Sequence, residues 1–373
     1  MGRYRVLYLV SRRVATSVPL DVAGYLDLHQ FDLTVVTYFR PDDGDTPDSI
    51  AVIELGARGK YDLRAWCALY YLIRQRRPHI LHVHHTLPAA LGCLFGRLLS
   101  VPVIVNTRHH EHTQLGLAHS LLALIALGLA NLIACNSDCT RSSFRWWERW
   151  LASHKSVTVY NGVDVQCIDQ SFIEPARLRA QLGIGRGAFV IGHVGRLVRE
   201  KDQATLIRSL AILVDRGLDA TLIVVGAGPL RDRLLSLAQA LGLKNRVIFT
   251  GQVARRRVYE ILHALDLFVM TSTSEGFGNA VVEAMAARKA VVVTNAGALP
   301  EVVGHAGRLA PRSPAALAAA ILELAQLSPA VLAALGEAGR DRVESCFTIQ
   351  RTGAAYSHLY RQLLQQKGIV DAR

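Results

Sequence analysis

The chain has 373 residues, 51% of them hydrophobic and 19% charged, with 42 Lys and Arg against 30 Asp and Glu for a net charge of +12. This length suits two domains, and the composition excludes a disordered chain, a collagen-like repeat and a disulfide-stapled miniprotein. The charge favours anionic partners. However, the longest basic block is Arg255-Arg256-Arg257 and no basic stripe interleaved with aromatics is present, so nucleic acid is not an expected partner. The opening MGRYRVLYLV is too short for a signal peptide, lacks a cleavage site and reads as a first strand over Arg5–Val10. Further strands are expected over Asp32–Tyr38, Ala51–Leu55, Ile80–His84, Val103–Asn106, Leu132–Cys135 and Val157–Tyr160. The apolar run from Leu121 to Ala130 falls short of the ~20 residues a spanning helix needs and reads as a core helix. The Trp-rich segment 146–150 reads as a packing helix, with a membrane-interface role as the alternative.

A second series of strands is expected over Phe189–His193, Thr221–Val225, Val247–Thr250, Leu267–Met270 and Ala290–Thr294. Helical patterns separate them; over 202–216, Leu206, Leu210, Leu213 and Val214 share one face. Such alternation predicts parallel sheets wound on both faces. The rhythm pauses between Asn161 and Leu182, and from Pro314 onward the chain is Ala/Leu-rich and helical. The expected organisation is a first domain over 1–165, a second over 170–350, and a C-terminal helix over 351–373 returning to the first domain. Both strand-end rows should then face an interdomain cleft. The excess positive charge lies mainly beyond residue 170, +9 against +3 before it. Six scattered cysteines with no CxxC pair predict reduced, mostly buried thiols in a cytosolic protein.

Two segments carry chemistry. In TSTSEGFGNAVVEAMAARKAVVV (271–293), a strand ends, Gly276 and Gly278 bracket a turn, and a helix begins. Glycines let backbone approach a ligand, and the positive end of the helix dipole favours phosphate or sugar oxygens. Glu275 and Glu283 frame that turn, and a carboxylate can accept two hydrogen bonds from a ribose diol. In GHVGRLVREKDQATL (192–206), Arg196 and Lys201 should project from one strand end, where two cations can neutralise a diphosphate without metal. VVGAGP (224–229) lacks the third glycine of a dinucleotide fingerprint and reads as a strand–helix turn.

Together these segments resemble the retaining glycosyltransferases of the GT-B fold, family 4. The E-x7-E pattern of that family matches Glu275–Glu283, and its GR-x4-K element matches Gly195, Arg196 and Lys201. YNGVD at 160–164, FTGQV at 249–253 and PEVV at 300–303 follow in register. The first half is similar more loosely, through PHILHVHH (78–85), VPVIVNTRHH (101–110) and LIACNS (132–137). It departs from the family in the loop after the first strand, which has Arg12 and Arg13 where a glycine pair is usual. The second half departs at Gly297-Ala298-Leu299-Pro300, which lacks the second glycine of a GG-x-PE turn.

The resemblance implies an α/β GT-B fold and a nucleotide diphosphate sugar donor on a uridine, guanosine or adenosine base. It implies catalytic roles for His109, Arg196, Lys201 and Glu275. Donor contacts would come from Gly195, Val253, Gly276, Phe277, Gly278, Asn279 and Glu283. Arg12, Arg13, His84 and His85 would lie on the acceptor side. It further implies a glycan, lipid-linked or small-molecule acceptor, no cofactor, no metal, and a cytoplasmic location with a membrane surface as a possible partner. The crowded histidines, His82 and His84 with His110, Glu111 and His112, leave a metal hydrolase open as a minor reading. Two more readings stay open: a nucleotide-sugar epimerase of the same fold, and a non-catalytic protein that binds polyanions or membranes.

Overall fold

The computed structural model describes residues 2–12, 18–40, 51–109 and 117–369. Arg13, His110, Glu111 and His112 lie outside the described residues. The chain forms two units, Met1–Gly162 with Ile349–Arg373, and Val163–Thr348.

The first unit holds β1 (Tyr4–Val10), β2 (Phe31–Phe39), β3 (Ala51–Ala57), β4 (Ile80–His84), β5 (Val103–Arg108), β6 (Leu132–Cys135) and β7 (Ser156–Thr158). All pair in parallel in the order β3-β2-β1-β4-β5-β6-β7. Its helices up to residue 152 are α1 (Val18–Ala23), α2 (Leu63–Arg76), α3 (Thr86–Leu98), α4 (Leu117–Leu129), α5 (Asp138–Ser142) and α6 (Trp146–Ala152). Side chains alternate across a strand, so β1 sends Leu7 and Leu9 to one side and Val6, Tyr8 and Val10 to the other. The first set packs under α2, α3, α4 and α6, with Leu69, Ile73, Cys93, Leu127 and Ala152. The second set packs under α1, with Leu20 and Val22.

The second unit has β8 (Phe189–Val194), β9 (Ala220–Val225), β10 (Val247–Gly251), β11 (Leu267–Met270), β12 (Ala290–Thr294) and β13 (Arg308–Ala310), ordered β10-β9-β8-β11-β12-β13 and all parallel. Its helices are α7 (Val165–Gln170), α8 (Pro175–Gln181), α9 (Gln203–Asp215), α10 (Arg231–Ala240), α11 (Arg255–His263), α12 (Asn279–Ala286), α13 (Leu299–Val303), α14 (Pro314–Ala325) and α15 (Pro329–Cys346). Strands such as β9 and β12 are buried along their whole length, which is why they read as unbroken apolar runs rather than alternating ones. Leu206, Leu210, Leu213, Leu317 and Ile321 fill the layer over this sheet. β13 was not expected: three edge residues are too short to show a period.

The last helix, α16 (Ile349–Gln366), belongs to the first unit and covers the β1 face that α1 leaves open. Tyr356, Tyr360 and Leu364 enter that core. Gly353 allows the contact: a Cβ there would sit 2.2 Å from the Tyr25 carbonyl oxygen.

Three expectations change. The helix at 121–130 is only half core, since Leu121 and Ile125 are exposed while Ala126 and Leu127 are buried. Of the three tryptophans of α6, Trp146 at 82% and Trp150 at 81% exposed are not packing residues, whereas Trp147 is half-buried. Only Cys93 and Cys135 of the six cysteines are buried, and Cys67 and Cys167 are exposed.

Candidate functional site

In a doubly wound sheet, ligands gather where the strand order reverses, at the carboxyl ends of the strands. In the second unit that point lies between β8 and β11. The loops that leave these two strands carry the two segments singled out from sequence, and hydrogen bonds tie them together. The Thr273 N–H donates to the Glu200 carbonyl at 2.8 Å, and Thr271 Oγ1 donates to the Lys201 carbonyl at 2.8 Å. Lys201 closes a short 3-10 turn, Arg199–Lys201, and the following helix starts at Gln203 with Asp202 as a left-handed cap. The Lys201 stem runs over Gly195, with methylenes 3.6 Å from where a Cβ would stand. Its ammonium meets the Glu275 carboxylate in an ion pair that is four-fifths buried on both sides. Ser272 Oγ donates to the same carboxylate oxygen at 3.0 Å.

Arg196 remains exposed, and its backbone is held from beneath. His193 is fully buried with Nδ1 2.9 Å from the Val269 carbonyl, so Nδ1 carries the proton and Nε2 accepts from Gln203 Nε2 at 3.3 Å. Burial pushes this imidazole down to about 4, which keeps it neutral. The Gln203 amide also donates to the Arg196 carbonyl at 2.9 Å. His193 and Gln203 are positioning residues that the sequence reading missed; each is an ordinary core residue by type, and only the fold brings the three groups into line. The VVGAGP segment is a turn that backs this loop: a Cβ on Gly226 would meet the Gly195 carbonyl oxygen at 2.1 Å.

On the β11 side, Gly278 caps α12 with φ 99°, a conformation that favours glycine, and a Cβ there would press on Leu299 at 2.7 Å. Phe277 is buried against Phe347, 5.5 Å between ring centroids, so it anchors the turn and can offer a ligand its backbone only. Asn279 opens the helix and Glu283 lies one turn in, mostly buried, with Arg255 3.9 Å from its carboxylate. Arg255 was missed as a site residue; its signal was its place at the head of the basic triplet just after Val253. Val253 is half-buried at the exit of β10. Ala298, standing where the family has glycine, adopts φ −79° and so needs no glycine, whereas Gly297 at φ 53° does.

The reversal point of the first sheet lies between β1 and β4. Arg12 leaves β1 and sits over the Phe39 ring, 5.3 Å from its centroid. His84 ends β4 and His85 follows with φ 64°, its Nδ1 accepting from the Ser11 N–H at 3.3 Å. His84 is buried and reaches no surface; its Nδ1 is 3.1 Å from Nε2 of the half-buried His109, which stacks on both His84 and His85. Deeper still, His82 bonds Tyr360 at 2.5 Å and Thr107 at 2.7 Å, beneath α16. Burial pushes His82 down to about 3 and, with neighbouring imidazoles, holds His84 well below its ordinary value. From His82 to His84 the crowded histidines therefore form a buried neutral stack, while His85 and His109 line a cavity. That cavity, about 190 Å³, is polar where Asn106, Thr107 and Arg108 meet it and apolar toward Ala123 and Leu127. Among the described residues no three His, Cys, Asp or Glu side chains converge as metal ligands.

Residues 15–166 match Glycosyltransferase Family 4, and residues 176–342 match Glycosyl transferases group 1. The 2-deoxystreptamine glucosyltransferase of Streptomyces kanamyceticus is 32% identical over 214 residues, which are 56% of this chain and 55% of that protein. The UDP-Gal:alpha-D-GlcNAc-diphosphoundecaprenol alpha-1,3-galactosyltransferase of Escherichia coli is 27% identical over 248 residues, 63% of this chain and 62% of that protein. The chain thus spans between half and two thirds of the length of these curated relatives. The Anabaena protein HepE, solved with UDP and glucose, superposes with a TM-score of 0.81 at 22% identity, covering 96% of this chain and 100% of that one, a likeness of fold. Two parallel doubly wound sheets, the joined strand-end loops of the second and these matches lead to one family: the chain belongs to the glycosyltransferases, with a Family 4 domain followed by a group 1 domain on the GT-B fold.

Proposed function

We propose that the protein moves a sugar from a nucleotide diphosphate sugar to a glycan, lipid-linked or small-molecule acceptor, with retention at the anomeric carbon and without a metal ion. The observation that carries this reading is the Lys201–Glu275 pair beside Arg196 and the start of α12. The bond from the sugar's anomeric carbon to the diphosphate breaks, leaving positive charge on the sugar and negative charge on the departing phosphate. Arg196, Lys201 and the α12 dipole stabilise that leaving group in a partly desolvated setting. Glu275 fixes the Lys201 ammonium and turns its carboxylate toward donor hydroxyls, while Glu283 takes the ribose diol. The acceptor oxygen attacks the face the leaving group vacates, and a phosphate oxygen receives its proton. No side chain of the chain serves as nucleophile. His109, with His85 beside the cavity of the first unit, positions the acceptor.

The relatives support this assignment: one is named for a UDP-galactose donor and an undecaprenol-linked acceptor, and HepE was solved with UDP. The test is transfer from UDP-, GDP- and ADP-sugars with the product's anomeric proton followed by NMR in exhaustively chelated buffer. A retained anomeric configuration and full chelated activity are expected. An inverted product removes the front-face mechanism, and a strict divalent requirement removes the metal-free one.

A further inference from the structure

The amino ends of β8, β11 and β12 lie at the opposite end of the second sheet from the loops that carry Lys201 and Glu275. A cavity of about 550 Å³ opens there. Arg186 in the loop before β8, Asp266 before β11 and Lys289 before β12 line it, with Glu174 and Arg179 of the α8 region along one side. The cavity at His85 and His109 in the first unit measures about 190 Å³, so this one admits the larger molecule. Ligands of doubly wound sheets gather at the carboxyl ends of the strands, and a cavity of small-molecule size at the amino ends therefore falls outside the donor site.

Lys289 brings an amine to this cavity without a carboxylate to hold its charge. Its Nζ donates to the His263 carbonyl at 2.8 Å. Asp266 spends Oδ1 on Arg179 at 2.8 Å and Oδ2 on the Val190 N–H at 2.7 Å. Glu174 accepts from the Ala176 N–H at 3.4 Å, and the neighbouring Arg288 turns to Asp169 and Glu337. His263 donates Nε2–H to the Ile168 carbonyl at 2.8 Å, and burial lowers its pKa, so it adds no charge near neutral pH. Burial, only partly offset by Asp266 and reinforced by Arg179, pushes the Lys289 amine down to about 8. Desolvation beside another cation is one of the ways a lysine becomes a nucleophile. Arg186, exposed between Gly185 and Gly187, adds a cation at the same cavity.

We propose that Lys289 is an acylation site for small acyl phosphates, which enter this cavity with the phosphate against Arg186 and Arg179 and the acyl carbon at the Lys289 amine. The neutral nitrogen attacks the acyl carbon, the bond from that carbon to the phosphate oxygen breaks, inorganic phosphate leaves, and the nitrogen gives up one proton to water. The product suits the place. An amide keeps one N–H for the His263 carbonyl, and it carries none of the charge that burial disfavours. The site stands on residues apart from the strand-end loops and rests on no part of the proposed transfer.

The test treats the full chain with acetyl phosphate at about pH 8 and follows each of its six lysines by peptide mass spectrometry. Lys289 should react at least ~10-fold faster than the exposed Lys60, Lys244 and Lys367, because about half of its amine is unprotonated there against under ~1% of an ordinary lysine. Its rate should level off above about pH 8, once the amine is neutral. Arg186→Gln should slow acetyl phosphate about threefold and leave an uncharged reagent, N-acetoxysuccinimide, unchanged. In about 8 M urea, which dissolves the cavity, the preference for Lys289 should vanish. Acetylation of Lys289 no faster than that of the exposed lysines overturns the proposal. A preference that survives in urea overturns it too, since sequence neighbours rather than the cavity would then set it. No slowing of acetyl phosphate by Arg186→Gln, or equal slowing of both reagents, overturns the phosphate contact and with it the assignment to acyl phosphates.

Discussion

The two units share an architecture and differ in where they place polarity. In the second unit the main core cluster is aliphatic, with His193 and Gln203 buried beside it, and charged groups stand at the strand ends, Lys201 on Glu275 and Arg255 by Glu283. In the first, the polar groups are inside, as His82, His84, Tyr8, Tyr356 and Tyr360 packed between β1, β4 and α16. Its outer helices carry the apolar surface: ten of the fourteen exposed large hydrophobic side chains among the described residues belong to this unit. One sheet thus gathers its paired charges at its strand ends. The other is arranged around a buried neutral network, with exposed apolar side chains on its outer helices. The same fold supports both because strand ends, sheet faces and outer helix faces are independent places to put chemistry.

Acid should separate the units most strongly. A histidine kept neutral in the fold binds no proton, while its unfolded counterpart does below about 6.5, so the stability it contributes is complete above 6.5 and is lost as pH falls toward the folded value. For His82 that window runs from 6.5 down to about 3, and for His193 down to about 4. At pH 5 His82 and His193 each remove about 2 kcal/mol; His84, held well below its ordinary value, adds to the loss in the first unit more than His263, lowered by burial, adds to that in the second. All four tryptophans lie in the first unit, so fluorescence follows it alone while far-UV circular dichroism follows both. The fluorescence midpoint is expected at the higher pH; coincident midpoints would erase the contrast.

The next effect belongs to chemistry rather than stability. Lys201→Ala should lower turnover about 100-fold, about 3 kcal/mol. Turnover within a few fold of wild type takes Lys201 out of the leaving-group role. A smaller effect should come from the seam under α16. Gly353→Ala places a methyl group against the Tyr25 carbonyl and should cost about 2 kcal/mol, seen as a lower denaturant midpoint by fluorescence. An unchanged midpoint would show that α16 is not needed to cover the His82 network. The smallest is Ala298→Gly, which restores the family residue where the backbone does not need it. It should lose about 0.5 kcal/mol through added freedom in the unfolded chain and leave donor binding unchanged. A gain in donor affinity would mean that Ala298 is a specificity residue.

Much of the second unit was legible in advance because its site is built from two contiguous stretches, one after β8 and one after β11, whose glycines and charges have fixed spacing. Glu275, Glu283, Arg196 and Lys201 all fall where those spacings place them. The first unit was less legible. Its histidines announce a polar feature, but two apart on a strand says only that His82 and His84 share a face, not whether water or a helix lies over it. The answer comes from Tyr356 and Tyr360, about 270 residues later in the chain. The same limit applies to α4 and α6, where an apolar or Trp-rich helix serves equally as core or as surface.

The sequence by itself determined the two parallel sheets, because buried strands and amphipathic helices leave periodic marks, and the family and the two strand-end loops of the second unit, because glycine and charge spacing are local. Only the tertiary structure decided that Gln203, set by His193, holds the Arg196 carbonyl, that Lys201 rests on Glu275, and that Trp146 and Trp150 of α6 face outward. Those outcomes depend on which distant segment covers a side chain. Burial is a property of the packed chain, and no spacing along one segment encodes what lies across from it.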